Sequence, residues 1–208
     1  MGHSMKLDPI GADERFARTT FARVGAAYLQ GNAVLPTPDG PVEARELGPQ
    51  QQIICITGDV VSVRRVLKRA ATPSFPAIIL RFAAGVLGAE ADVCLSHGVP
   101  VLIDHWVCAP LFGEASMLAY AADFGLIDGI TVEILTEGEI VQIETDHPAL
   151  VSVQGLRLCL EQASPFATPR RIMPLPVLDA HEAALVGSFQ FVMHRHRPDH
   201  RPDQRQYG

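Results

Sequence analysis

The four cysteines, Cys55, Cys94, Cys108 and Cys159, lie far apart and form no CxxC pair. Zinc-type ligand spacing is therefore absent. Each sits in an apolar run, where a thiol behaves as a small hydrophobe, so buried and reduced thiols are expected. No apolar stretch reaches the roughly 18 residues that a membrane-spanning helix requires. The leading segment MGHSMKLDPIGADERF has no apolar h-region, which predicts no Sec-type signal peptide and a cytoplasmic protein. An excess of positive charge is missing too. The formal net charge is −6, so there is no global electrostatic case for nucleic acid. No internal repeat of fixed period is present. Neither membrane nor nucleic acid is expected as a partner, and no cofactor or metal is expected. A protein partner is.

Apolar residues make up 48% of the chain and charged residues 19%, a balance that argues against wholesale disorder. The length of 208 residues supports one well-buried core with tails and does not require two.

The pattern along the chain is mostly that of strands. An exception comes early: Phe16, Thr20, Val24, Ala27 and Tyr28 fall near helical spacing. Asp13 and Glu14 stand near the start of this run and Gly31 just past its end, which predicts one amphipathic helix. The helical period then stops. Pro38-Asp39-Gly40 is a turn, because Pro38 presets φ and Gly40 tolerates positive φ. Val34-Leu35 and Val42 flank it as strand edges, and the VEARELG segment that begins at Val42 reads as a single helical turn. Ile53 to Ile56, the Thr57-Gly58-Asp59 turn and Val60 to Val66 predict a hairpin.

Further strands are expected at Ala77 to Phe82, Val93 to Leu95, Val99 to Ile103, Ile130 to Leu135, Gly138 to Thr145, and twice within Ala149 to Glu161. Strands recurring every ~8–12 residues signal an all-β barrel or sandwich-like fold. Domain limits follow: a lead and helix over 1–30, a β domain over 31–163, a Pro-rich extension over 164–193 with a short helix from Leu178 to Val186, and a disordered His/Arg-rich tail over 194–208.

Several charged or chemically able groups have plain readings. Arg64, Arg65, Lys68 and Arg69 suit an anion site, but a solvated strand face explains them more simply. His194, His196 and His200 lack a rigid frame for a metal and read as a solvated tail. Asp104 and His105 are adjacent on a strand, so their side chains point to opposite faces and do not pair.

The stretch from Asp92 to Met117 concentrates Cys94, Cys108, His97, His105 and the single tryptophan, Trp106. Around it, five blocks occur in order. They are Thr37-Pro38-Asp39-Gly40-Pro41-Val42-Glu43; Glu46-Leu47-Gly48-Pro49 with Ile53 to Asp59 and Val63 to Val66; and Leu95-Ser96-His97-Gly98-Val99-Pro100-Val101-Leu102-Ile103-Asp104. Trp106 to Leu111 with Glu114 to Met117 follows, and then Val132 to Ile134 with Asp146-His147-Pro148-Ala149-Leu150-Val151, Gly155-Leu156 and Glu161. From about Gly31 to Glu161 this order resembles the Hint (hedgehog/intein-like) module in its compact bacterial branch. The resemblance implies a mostly β, compact horseshoe-like fold, here with one N-terminal helix and a short C-terminal helical segment.

It also implies intramolecular acyl transfer. A Cys or Ser attacks the carbonyl before it, a central His assists the leaving amine, and donors hold the oxyanion. This chain departs from that pattern. Ala26 to Leu35 holds no Cys, Ser or Thr. Val99 stands in the His place of the central block, and His97 is displaced by two, about 6–7 Å along a strand. Gln50-Gln51 replaces the Gly-Asp that follows Leu47-Gly48-Pro49, while His147 is retained. His147 and His97 are the candidate catalytic residues. The departures predict a module without self-processing that serves as a scaffold or interaction domain. Two alternatives stay open: cleavage through His97 and His147 with Ser96 or Cys108, and an unrelated β-barrel binding module with a small-molecule pocket.

Overall fold

The computed structural model describes residues 27–124, 127–162 and 175–195. Within them the chain is mostly β. The Pro38-Asp39 turn joins β2 (Val34–Thr37) to β3 (Gly40–Glu43), and Gly40 takes a φ of +115° that a side chain would resist. A 3-10 turn at Ala44–Glu46 leads to β4 (Gln52–Ile54), which forms the expected hairpin with the start of β5 (Val60–Ala71). Then come β6 (Ala77–Phe82), β7 (Val93–Leu95) and β8 (Pro100–Asp104). The short helix α1 (Cys108–Phe112) separates β8 from β9 (Ser116–Tyr120). The order closes with β10 (Ile130–Leu135), β11 (Gly138–Thr145), β12 (Ala149–Val153), β13 (Leu156–Gln162) and α2 (Ala180–Arg195).

The two-residue strand β1 (Leu29–Gln30) ties the sheet together. It lies between β7 and β11, antiparallel to both, through Leu29↔Leu95 and Leu29↔Val141. The sheet runs β10-β6-β7-β1-β11-β13-β8-β9, while β5 lines the other edge of β11 from Ala71↔Gly138 to Val63↔Thr145.

Side chains alternate across this sheet. Leu80 and Phe82 enter the main core with Leu29, Leu95, Val101, Phe124 and Leu158, all at or below 2% exposure. Ile79 faces the other way, into a smaller cluster with Ala71, Ala77 and Ile140, flanked by Tyr28 and Cys94.

Two expectations are corrected. Tyr28 to Gln30 are extended, not the end of a helix. Tyr28 exchanges hydrogen bonds with Ser96, 68 residues away, and that pairing overrides local helical spacing. The earlier part of that expected helix, and the tail beyond Arg195, lie outside the described residues. The C-terminal helix is also longer than Leu178 to Val186. It starts at Ala180 and reaches Arg195, because Leu178 is extended against β9. The Leu118 N–H donates to Pro176 O (2.8 Å) and the Leu178 N–H to Leu118 O (2.7 Å). Leu178, Ala183 and Val186 are buried in the main core. Among the described residues no helix is long and apolar enough to cross a membrane.

Candidate functional site

Both candidate histidines leave the sheet at the end where β1 begins. His97 follows β7 in the Ser96-His97-Gly98-Val99 turn, which the Val99 N–H closes onto Ser96 O at 3.2 Å. The Ser96 N–H donates to Tyr28 O (2.9 Å), and the Tyr28 N–H donates to Ser96 Oγ (3.0 Å). On the far side, the Ala122 N–H donates to His97 O (3.1 Å) and the Ala121 N–H to Val99 O (2.8 Å). These bonds fix the turn between β1 and the 3-10 turn Ala121–Phe124. Extending the β1–β7 register from Leu29↔Leu95 sets His97 opposite Ala27. Burial of the half-buried ring lowers its pKa, so His97 is neutral at pH 7.

His147 follows β11, on the other side of β1. It is exposed, and its carbonyl accepts the Thr145 hydroxyl at 2.7 Å. The β1–β11 register, Leu29↔Val141, carries His147 several residues further out than His97. The structure thus brings His97 beside Ala27 and Tyr28, while His147 shares that end of the sheet through the turn after β11.

The remaining candidates are placed elsewhere. Val99 is 2% exposed and packs in the core, as an apolar residue at that position should. Asp104 pairs with Arg157 at 3.0 Å, and His105 Nδ1 accepts the Val107 N–H at 3.4 Å, so Asp104 and His105 do not act together. Cys108 is fully buried at the start of α1, and burial raises its thiol pKa. Cys94 is half-buried and pushed up to about 11, first by burial and then by Glu133. Burial raises Cys55 as well, and none of the four cysteines forms a disulfide. Cys55 and Cys94 are thus less buried than their apolar runs suggest. Trp106 is 63% exposed and contributes nothing to this corner's interior. Among the described residues no group of three His, Cys, Asp or Glu could hold a metal ion.

Tyr28 is the residue that sequence reasoning misplaced. Its hydroxyl donates to Ile78 O at 3.1 Å, and burial raises its pKa, so it is a phenol and not a phenolate at neutral pH. The alternation of Tyr28, Leu29 and Gln30 is too short to mark a strand against the helical spacing that precedes it.

No protein-family model matches the chain, and no curated protein matches it in sequence. Solved structures do match. The gp41-1 intein is 16% identical, with 64% of this chain and 98% of that one covered and a TM-score of 0.41. A bacterial intein-like domain from Clostridium thermocellum is 14% identical, with 65% and 98% covered and a TM-score of 0.44. A DnaB intein from Synechocystis sp. PCC 6803 is 14% identical, with 67% and 99% covered and a TM-score of 0.38. These are likenesses of outline, and no residue role passes from them to this chain.

Proposed function

We propose that this chain is a hedgehog/intein-like β module without self-processing, acting as a scaffold that binds a protein partner. One observation carries the reading. Before the Thr37-Pro38-Asp39-Gly40 turn, where the resemblance places a β-hydroxyl or β-thiol, the segment Ala26 to Leu35 offers no Cys, Ser or Thr, and the Tyr28 backbone within it is tied to Ser96. An acyl shift onto a side chain passes through a small ring that a Ser, Thr or Cys side chain closes on the carbonyl before it. The Tyr28 phenol sits too far from its own backbone to close such a ring, and it faces Ile78 O.

The other groups fit the same reading. Ser96 is 2% exposed and its Oγ accepts a backbone N–H, which suits a turn-forming hydroxyl. A buried thiol with a raised pKa, as at Cys108, is poorly supplied with thiolate. His97 and His147 then hold turns. Four cysteines without a disulfide suit a reducing, cytoplasmic setting.

The test is the intact mass of the full chain fused behind a reporter, incubated with and without a thiol or hydroxylamine. The expected result is one unchanged mass. A time-dependent split near β1 that His97→Ala or His147→Ala abolishes would overturn the reading and establish cleavage through those residues.

A further inference from the structure

The basic stripe on β5 is unused by the corner just described. β4 covers β5 only from Val60 to Ser62, and the Gln50–Gln51 backbone covers Val63 through bonds of 2.7 and 2.8 Å. Beyond Val63, β5 runs on to Ala71 with β11 along one edge and no strand along the other among the described residues.

The direction of the open backbone groups follows from the register. The Gly31 N–H bonds Glu139 O, so odd-numbered groups of β11 face β1 and even-numbered groups face β5. The β5 partners of Glu144, Gln142 and Ile140 are Arg65, Leu67 and Arg69. Their backbone groups are taken. A bulge at Arg64 sets this phase, since Thr145 pairs with Val63 and Glu144 with Arg65. The N–H and C=O groups of Val66, Lys68 and Ala70 therefore point away from the sheet, at alternate positions that a new strand would meet.

The side chains around these rungs are cationic. Arg69 lies opposite Ile140 and makes no ion pair among the described residues. Arg64 reaches Asp146 only at 3.9 Å, and Arg65 is held by Glu144 at 2.6 Å. Leu67 lies between Arg65 and Arg69 on the same face, 46% exposed. Charges on an open edge guard against self-pairing. The same charges repel a second copy's β5 and favour a strand of opposite sign.

We infer that the open edge of β5 binds an extended acidic peptide segment as an added strand, paired to Val66, Lys68 and Ala70 and steered by Arg64 and Arg69. Strand addition draws affinity from main-chain bonds and selectivity from alternate side chains. A nucleic acid fits less well: it has no backbone ladder to offer, β5 carries no aromatic to stack on a base, and the chain's net charge is −6. The inference names the partner for the scaffold proposed above and rests on that reading.

The test uses the full chain labelled with 15N and a capped hexapeptide of alternating Glu and Val. Saturable amide shifts centred on Val66, Lys68 and Ala70 are expected, with those amides gaining protection from hydrogen exchange. Arg69→Glu should weaken binding at least about tenfold, while its spectrum away from β5 stays as in the parent. A milder variant, Arg64→Gln, should weaken it less and guards against a fold defect in the first. Absence of shifts at millimolar peptide, shifts centred elsewhere, equal binding of a capped hexapeptide of alternating Gln and Val, or tighter binding of oligothymidylate would each overturn the inference. The intact mass of the same samples reports separately on self-cleavage, so a failure of the scaffold reading is distinguishable from a failure of this one.

Discussion

Gly155 and Gly113 adopt nearly the same φ, +83° and +82°, yet only one is crowded. A Cβ on Gly155 would lie 2.5 Å from Gly88 O and 2.7 Å from Glu90 Cγ, beside the 2.7 Å bond from the Glu90 N–H to Gln154 O. Nothing lies within 4 Å of a Cβ on Gly113. Gly113→Ala carries only the strain of its backbone angle, roughly 1 kcal/mol. Gly155→Ala adds a backbone clash between two turns and should lose at least about 2 kcal/mol. Urea unfolding of the two variants measures the difference, and equal losses would show that the turns around Gly88 and Gly155 give way freely. Asp123 is a second residue with a definite sign. Burial raises its carboxyl pKa, and Asp179 raises it further against a lowering bond from the Tyr120 backbone. A carboxyl whose folded pKa is raised opposes folding when ionised; the penalty is complete above the folded value and is lost as pH falls from there to the unfolded value. Asp123→Asn should therefore raise Tm at pH 7, with the gain vanishing as pH approaches the usual carboxylate range. A loss of Tm at pH 7 would mean that the ionised carboxylate is needed there.

At the scale of the element, α2 begins with a reciprocal cap. Asp179 Oδ1 accepts the N–H groups of His181 (2.8 Å) and Glu182 (2.9 Å), and Glu182 Oε2 accepts the Asp179 N–H (2.8 Å). These backbone donors hold the Asp179 carboxyl below the usual carboxylate range. A depressed acid contributes stability above its unfolded pKa and loses it as pH falls through the folded one. Asp179→Ala should lower Tm by roughly 2–4 °C at pH 7, with Asp179→Asn closer to the parent. The parent and the Ala variant should converge below the carboxylate range, which a pH series of melting curves checks. The same helix shows where sequence reading stops. β10 was legible because its apolar and polar residues alternate, and β6 because an apolar run follows Pro76 and stops at a Gly-containing turn. α1, at five residues, is too short for any period to show. The far half of α2 was masked by Gly187, which would close a helix by propensity but here lets Ile127 approach the helix backbone. Of the candidate corner, the Ser96 to Val99 turn could be read from its turn residues. The bond between Tyr28 and Ser96 could not, since no local pattern encodes a partner 68 residues distant.

For the whole molecule, the question is whether the chain from residue 175 onward belongs to the same cooperative unit as the strands. The sequence boundary near residue 163 suggests an extension, but the packing argues for one core. Leu178 is 2% exposed and Val186 1%, both in the cluster that holds Phe82 and Phe124. The Phe82 and Phe124 rings meet edge to face at 6.3 Å, so the segment around α2 closes over a core already fixed by strands. The edge of β9 is covered by the same segment through Leu118, Pro176 and Leu178. If this is one unit, Leu178→Ala empties a filled core site and should lose roughly 2–4 kcal/mol of global stability. Leu185→Ala, on a side chain 45% exposed in the same helix, should lose less than about 0.5 kcal/mol. In native-state hydrogen exchange the Leu118 and Leu178 amides should then open only with global unfolding, at the same free energy as Val141 in β11. Early exchange of Leu178 with Val141 still protected, or a small loss in Leu178→Ala, would make residues 175–195 a separately opening segment on a β core complete without it.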